Sequence, residues 1–141
     1  MGDPSTTLVA MTDEAVERGG GGAVLAKDAV GAYGERVAAA HLASAGMVVL
    51  DRNWRCSSGE IDIVARDGDV LVFCEVKTRT SVAFGTPLEA VTPRKAARLR
   101  RLAAAWMRER SVHVPEVRID IVGVLRQTRG PARVEHVRGV A

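Results

Sequence analysis

The chain has 141 residues, of which 47% are hydrophobic and 26% are charged, and its formal net charge at pH 7 is +3. These values belong to one soluble globular domain that is long enough to bury a core of its own. No apolar run approaches the length needed to cross a bilayer and the start of the chain lacks the residue order of a secretory signal, so we expect a cytoplasmic protein with no membrane partner.

The first 27 residues differ in composition from the rest. They hold five glycines, four of them consecutive, and show no persistent apolar period. We predict that residues 1–27 are a disordered, acidic and glycine-rich tail and that residues 28–141 form the folded domain. That domain has 18 basic and 13 acidic side chains, so its net charge of +5 exceeds that of the whole chain.

A helix is predicted over residues 28–45. Apolar residues recur there at intervals of three and four, which places them on one buried stripe, and Gly46 follows as a helix terminator. Glu35 lies beside that stripe in the early part of the helix, where its charge also suits the positive end of the helix dipole. Residues 47–54 are typical of a strand that joins the following hairpin in an antiparallel meander.

A β-hairpin is predicted next. Residues 58–66 and 69–77 are rich in β-branched residues and are joined by Asp67-Gly68, which is a strong signal for a two-residue turn. The register that follows pairs Val64 with Leu71, Asp62 with Phe73 and Glu60 with Glu75. Side chains alternate between the two faces of a sheet, so three acids and Lys77 share one face of this hairpin. The opposite face, which includes Ile61 and Ile63, is apolar and has to be buried.

The acidic side of the hairpin needs a compensating charge, because like charges that face each other across a ladder repel. Carboxylates gathered at one point suit a hard cation such as Mg²⁺, which takes one or two carboxylates together with water and phosphate oxygens. A lysine beside that ion could hold a phosphate oxygen or help to generate an attacking hydroxide. An alternating strand also carries charge simply because its outer face is wet, and this alternative stays open from the residues alone.

A second helix follows an irregular segment, residues 82–90, which we expect to form a wall of the site. Thr92-Pro93 supplies a capping hydroxyl and a first-turn proline. The predicted buried stripe of this helix is Leu99, Leu102, Ala103 and Trp106, and its predicted basic stripe includes Arg94, Lys95, Arg98 and Arg101. Residues 92–110 carry a net charge of +6, which favours an anionic partner, although a basic helix face can also be merely solvated.

The remaining elements are strands. Residues 117–125 are apolar on both faces and predict an internal strand, in which we interpret Asp120 as a structural hydrogen-bonding group. Residues 132–137 predict a short edge strand. Three scattered histidines are assigned no function, and the two cysteines are too few for a disulfide framework, so we interpret them as buried free thiols. The residues concerned are His41, His113, His136, Cys56 and Cys74.

The hairpin resembles a known catalytic signature. Asp62, followed on the next strand by Glu75-Val76-Lys77, is similar to the signature of the restriction-endonuclease-like superfamily, in which an Asp precedes a (Glu or Asp)-x-Lys on adjacent strands. Residues 29–137 also resemble the YraN-like family of small uncharacterised bacterial proteins. The motifs that carry this resemblance are Gly31-Ala-Tyr-Gly34-Glu35, Asn53-Trp54-Arg55, Gly59-Glu60-Ile61-Asp62 and Phe73-Cys74-Glu75-Val76-Lys77-Thr78-Arg79.

The resemblance implies an α/β fold with a restriction-endonuclease-like core, in which a mixed β-sheet is flanked by helices, and it implies nucleic-acid binding. The sheet would consist of an antiparallel meander and a strand after the second helix. The resemblance also implies that an acid of the first helix, Glu35 here, reaches the metal cluster.

The function predicted from these features is a Mg²⁺- or Mn²⁺-dependent endonuclease that acts on DNA in a structure-selective or nonspecific manner. Asp62 and Glu75 would hold the ion together with the backbone carbonyl of Val76, and Lys77 would orient or deprotonate the attacking water. Glu35 or Glu60 would bind a water or a second ion. Arg79 has the strand parity of Lys77, so we expect it to hold the DNA backbone together with the basic stripe of the second helix.

Two alternatives remain at this point. One is a nucleic-acid-binding module that has the same fold but does not cleave, and the other is a protein-binding adaptor whose basic helix meets an acidic partner. A resolvase-like enzyme would need a homodimer, because each site cuts one strand, and no sequence feature shows one. DNA and RNA are likewise not distinguished.

Overall fold

A computed structural model describes residues 6–9, 23–80 and 91–140 of the chain. The elements in these ranges are β1 (Thr6–Val9), α1 (Ala23–Ser44), β2 (Val48–Cys56), β3 (Gly59–Asp67), β4 (Val70–Arg79), α2 (Pro93–Arg110), β5 (Glu116–Leu125) and β6 (Ala132–Val137). Neither described helix is both long and apolar enough to span a membrane. The segment predicted as a wall of the site, residues 82–90, lies outside the described residues.

The described strands form one sheet of six, in the order β1-β6-β5-β4-β3-β2. β4 and β5 run parallel, because α2 carries the chain across one face between them, and the other neighbouring pairs are antiparallel. α1 covers the opposite face of the sheet. The predicted α/β architecture, a mixed sheet flanked by helices, is therefore confirmed.

Each helix closes its own hydrophobic core against the sheet. The α1-side core includes Val37, Leu42, Ile63 and Val72, and the α2-side core includes Ile61, Val64, Phe73, Leu99 and Trp106. The whole predicted buried stripe of α2 is buried. The hairpin face that was predicted to be acidic is therefore polar only at one end. Along the rest of that face the side chains are apolar, and α2 covers them.

The predicted hairpin register is wrong by two residues. Asp67 pairs with Val70, and Val64 pairs with Phe73, so the two turn residues are Gly68 and Asp69. Gly68 has φ 62, whereas Asp69 has no positive φ, which is the pattern of a type II′ turn with glycine first. A slip of two residues by itself moves no side chain to the other face of the sheet, so the register error does not separate Asp62 from Glu75.

The end of the sheet also differs from the prediction. β1 pairs antiparallel with β6, so β6 is not the edge strand that its sequence predicted. The physical reason is that β6 would otherwise leave a row of backbone groups unpaired. Residues 6–9 and 23–27, which fall in the segment predicted to be a tail, form this strand and the beginning of α1; residues 1–5 and 10–22 lie outside the described part.

Three smaller predictions concern single residues. Asp120 is fully buried in the internal strand β5 and hydrogen-bonded, as predicted. Both cysteines are free thiols, but only Cys74 is buried, since Cys56 lies half-buried at the end of β2.

Candidate active site

The charged side chains of the hairpin meet in an open cavity of about 520 Å³, here called the α2-side cavity, which lies between the beginning of β3, the end of β4 and the beginning of α2. Its charged lining residues are Arg55, Glu60, Asp62, Glu75, Lys77, Lys95 and Arg98. Asp62 and Glu75 therefore face the same space, which two carboxylates must do if they are to share one ion.

Asp62 lies at an irregularity of β3. The ladder between β3 and β4 ends at Ile63, although both strands continue beyond it. Ile61 packs in the α2-side core and Ile63 in the α1-side core, so the alternation of faces is broken between them, and their predicted common face is wrong. At this break the carboxylate of Asp62 accepts a 2.7 Å hydrogen bond from the backbone N–H of Val76. The bond fixes Asp62 against β4, beside Glu75.

The carboxyl group of Asp62 resists ionisation. Burial raises its pKa to about 7, the hydrogen bond from Val76 opposes this rise, and the nearby charges of Glu35, Glu75 and Glu60 add to it. Half-buried negative charge of this kind is stabilised by a cation placed among the acids. A cation placed among these acids would therefore lower the pKa of Asp62 and stabilise its ionised form.

Two lysines compensate the second carboxylate. The Nζ atom of Lys77 lies 3.5 Å from a carboxylate oxygen of Glu75, and the Nζ atom of Lys95 contacts the same oxygen. Contact with Lys95 and, next, burial lower the pKa of Lys77, whereas Glu75 raises it. Lys77 therefore holds its proton less firmly than a solvated lysine does.

Two sets of contacts position α2: the cap at its beginning, and hydrogen bonds between its second half and β2. The hydroxyl of Thr92 accepts a hydrogen bond from the backbone N–H of Lys95 at 3.1 Å, as the predicted cap requires. Two reciprocal indole–carboxylate bonds tie the other half of α2 to β2, from Trp106 to Asp51 at 3.0 Å and from Trp54 to Glu109 at 2.7 Å. These bonds fix the helix on the sheet, and Trp54 packs against the α2-side core.

Glu35 approaches Asp62 from the opposite side of the sheet. A second open cavity of about 670 Å³, between α1 and the end of β4, is lined by both carboxylates. Gly34 allows the approach, because a Cβ atom there would lie 1.7 Å from the side-chain oxygen of Thr78 on β4. Asp62 and Lys77 line both cavities. These two residues, here called the ridge, therefore separate the α2-side cavity from the second cavity.

The remaining candidates occupy the rim or lie outside it. Glu60 is exposed and pairs with Arg55 at 3.3 Å, at the mouth of the α2-side cavity. β4 extends to Arg79, and Arg79 lines the second cavity. Arg94 and Arg101 are exposed on α2 and line neither cavity, so they belong to the outer surface of the helix.

Residues 34–124, the part of the chain that carries both cavities, match the family described as "Uncharacterised protein family UPF0102". The chain belongs to the UPF0102 family. Proteins named UPF0102 from Kineococcus radiotolerans and Beutenbergia cavernae are 66% and 65% identical to it, and the matches cover 84% and 82% of this chain and 98% of each relative. A Streptomyces coelicolor relative is 60% identical over 89% of this chain and 98% of its own length. The resemblance to the YraN-like family is thereby confirmed.

The two carboxylates at the cavity of this UPF0102 chain are of the kind that binds a hard cation whose remaining ligands are water or substrate oxygens. In residues 29–80 and 91–140, no three His, Cys, Asp or Glu side chains are grouped so that they could hold a metal ion by themselves. Structural zinc needs four such ligands, whereas Mg²⁺ is held by one or two carboxylates with waters and substrate phosphate oxygens. Asp62 and Glu75, beside the backbone of Val76, fit the second case.

A buried polar chain in this UPF0102 protein was missed by the sequence analysis. His41 Nε2 lies 3.1 Å from His136 Nδ1, and His136 Nε2 lies 2.8 Å from a carboxylate oxygen of Asp120. Arg118 also binds Asp120, through its Nε and Nη2 atoms. These residues connect α1 with β5 and β6 away from the two cavities. The one sequence signal was a carboxylate within the apolar strand β5, since nothing in the spacing of the histidines links them.

Proposed function

We propose that this UPF0102 chain is a Mg²⁺- or Mn²⁺-dependent endonuclease that hydrolyses phosphodiester bonds of DNA in a structure-selective or nonspecific manner. The observation that carries the proposal is the meeting of Asp62, Glu75 and Lys77 at one open cavity. Negative charge concentrated at the half-buried Asp62 supports a cation site there, and the open cavity leaves room for a phosphodiester beside it.

Asp62, Glu75 and the carbonyl oxygen of Val76 would hold the ion. In an extended strand the N–H and C=O of one residue point to the same neighbouring strand. The N–H of Val76 binds Asp62, so its carbonyl oxygen lies on that side too. When bound, the ion lowers the pKa of a water ligand and neutralises charge that develops on the phosphate oxygens. Glu35, across the ridge, or Glu60, at the mouth, would hold a water or a second ion.

Lys77 would orient the attacking water as the ammonium group or, as the neutral amine, accept its proton. Its position on the ridge lets its ammonium group approach a phosphate in either cavity. A lysine whose pKa is lowered by contact with a second lysine and by burial gives up its proton more readily, as a general base must. Its contact with Glu75 keeps the amine directed towards the proposed ion.

The DNA backbone would lie over the outer surface of α2 and the mouth of the α2-side cavity. The basic residues available there are Arg55, Arg94, Arg98 and Arg101, and Arg79 serves the second cavity. Contacts to phosphates fix position without identifying bases, so we expect little sequence preference and strong weakening by salt.

The test is cleavage of duplex, single-stranded and branched DNA with Mg²⁺ or Mn²⁺ by wild type, Asp62→Asn and Lys77→Met. We expect metal-dependent cleavage by wild type and a loss of about 10²- to 10⁴-fold in each variant. Retention of DNA binding by both variants separates a chemical defect from a binding defect. Cleavage that persists undiminished in Asp62→Asn would rule out this site.

The second candidate is a nucleic-acid-binding module that does not cleave. The pairing of Glu75 with two lysines favours it, because those ammonium groups neutralise the carboxylate without an ion. The same panel distinguishes the two functions: equal DNA binding by wild type and Asp62→Asn, with no cleavage by either under any metal condition, is the result that the module predicts.

A further inference from the structure

Lys95 differs from the rest of the basic stripe on α2. Arg94, Arg98 and Arg101 are exposed, whereas the side chain of Lys95 is only 17% exposed and turns into the α2-side cavity. Its Nζ atom contacts the carboxylate of Glu75, whose side chain is 12% exposed. Lys95 is therefore part of the site rather than of the outer surface of the helix.

The position of Lys95 in the helix is unfavourable by itself. The first turn of α2 contains no acidic residue, and it holds Arg94 and Lys95 where the helix dipole is already positive. A positive side chain at a helix N-terminus is destabilising, because it repels the positive end of the helix dipole. Glu75, on β4, offsets this repulsion, so the contact is more than an incidental surface ion pair.

A cation added to the cavity would be repelled by the two ammonium groups at Glu75 unless one of them moves. Four basic and three acidic side chains line the cavity, and two of the basic groups, Lys77 and Lys95, contact Glu75. A divalent ion at Asp62 and Glu75 would repel both. Lys77 is two residues from Glu75 on the same strand, whereas Lys95 reaches Glu75 from another element through a flexible stem.

We propose that Lys95 is a displaceable counterion of Glu75. It neutralises this carboxylate until a divalent cation takes the oxygen, and its freed ammonium group then contacts a phosphodiester oxygen in the same cavity. The inference rests on the proposed nuclease function and adds a positioning residue to it, because Lys95 would couple occupation of the metal site to capture of the DNA backbone.

The first experiment measures Mn²⁺ affinity of the full-length protein by calorimetry, without nucleic acid and at one fixed, near-neutral pH for all variants. Lys95→Met removes the ammonium group and keeps an unbranched apolar stem of similar size. We expect it to tighten Mn²⁺ binding about three- to tenfold relative to wild type. Lys95→Arg keeps the charge and is expected to bind Mn²⁺ as wild type does.

Arg100→Met is the matched control, because it removes one charge from the exposed surface of α2 and lines neither cavity. We expect it to change Mn²⁺ affinity less than about twofold, since solvent and salt screen an exposed charge that lies outside the cavity. Thermal unfolding of every variant is measured in parallel. If Lys95→Met is unfolded, Lys95→Gln takes its place as the variant without the ammonium group, and its Mn²⁺ affinity is compared with those of wild type and Lys95→Arg.

The second experiment measures affinity for a short DNA duplex with and without Ca²⁺, an ion that takes the same oxygen ligands. Lys95→Met is expected to weaken binding about fivefold or more with Ca²⁺ and less than twofold without it. Equal Mn²⁺ affinity in wild type, Lys95→Met and Arg100→Met, or weaker affinity in Lys95→Met, overturns this inference and leaves the nuclease proposal standing. Failure of wild type to bind Mn²⁺ at all overturns both.

Discussion

The partly buried position of Asp62 among other acids lowers the stability of the folded chain at neutral pH. Its pKa of about 7 in the folded chain lies above the ordinary value of 3.8, so the folded state binds the proton more tightly than the unfolded state does. The stability that this proton provides is present below pH 4 and is lost as the pH rises towards 7. A site that gathers carboxylates therefore lowers the free energy of unfolding of the metal-free protein at neutral pH.

Asp62→Asn should remove that penalty. The amide oxygen can still accept the hydrogen bond from Val76, and the charge is gone. We expect the variant to be more stable than wild type by about 1–3 kcal/mol above pH 7, with a difference that shrinks as the pH falls towards 4. Urea unfolding in metal-free buffer at several pH values measures this directly.

Asp69→Asn is the control for that comparison. Asp69 is an exposed carboxylate in the turn between β3 and β4, far along the hairpin from the cavities. Its stability profile against pH should run parallel to that of wild type. A constant offset between Asp62→Asn and wild type across the whole pH range would show that the pKa of Asp62 is not raised in the folded chain.

At the scale of elements, the approach of α1 to β4 depends on Gly34. A Cβ atom at this position would lie 1.7 Å from Thr78 Oγ1 and 2.8 Å from Thr78 Cβ. Thr78 is β-branched and stiff, so it cannot rotate away without strain. We expect Gly34→Ala to lower the free energy of unfolding by about 1–3 kcal/mol, although alanine is the better helix former.

Gly31→Ala, on the same helix, is the matched control, because a Cβ atom there meets nothing within 4 Å. It should raise the free energy of unfolding by up to about 1 kcal/mol through helix propensity and a less flexible unfolded chain. Thr78→Ala introduced into Gly34→Ala should recover part of the loss by removing the nearest atoms. Chemical denaturation of the four proteins gives these differences, and an unchanged stability of Gly34→Ala would contradict the close approach.

Local sequence patterns predicted where helices and strands lie better than they predicted how the strands pair. Pro93 and Thr92 marked the beginning of α2 because caps depend on adjacent residues, and the acidic face of the hairpin survived a register error because faces repeat every two residues. The strand irregularity at Asp62, where the carboxylate accepts a hydrogen bond from Val76, could not be predicted, because no local sequence signal marks it. The contact between Lys95 and Glu75 depends on how α2 crosses the sheet, so the sequence left Lys95 among the surface residues of the basic stripe.

At the scale of the whole molecule, the buried chain of His41, His136 and Asp120 ties the α1 layer to the sheet. Burial and, next, the nearby His136 and Arg138 lower the pKa of His41 from 6.5 to about 4. The folded state therefore favours the neutral ring more than the unfolded state does. Its contribution to stability is fully present above pH 6.5 and is lost as the pH falls to about 4.

Asp62 acts in the opposite direction over nearly the same pH range, so the two contributions partly cancel in wild type. The effect of His41 is best measured in the Asp62→Asn background, where we expect an acid-induced loss of up to about 3 kcal/mol between pH 6.5 and 4. Adding His41→Gln should flatten that part of the profile, as followed by urea unfolding. An equally steep profile in both proteins would assign the acid sensitivity to other groups.

The segregation of charge sets how the whole molecule would meet DNA. Residues 92–110 carry +6 while the entire chain carries +3, and one of the exposed arginines of α2, Arg98, lines the α2-side cavity. Each side chain that neutralises a phosphate of duplex DNA adds about 0.9 to the steepness with which log K falls against log salt concentration. The salt dependence of binding therefore reports how many basic side chains of this surface touch the DNA backbone.

We expect Arg101→Gln to lower that steepness by about 1, as measured by fluorescence anisotropy over a salt series, and to weaken binding equally for unrelated sequences. Arg133→Gln, at an exposed position of β6 near the other end of the sheet, removes the same charge. It should leave the salt dependence unchanged, because no phosphate contact is proposed there. Equal salt dependence for Arg101→Gln and wild type would exclude a phosphate contact at this position of α2.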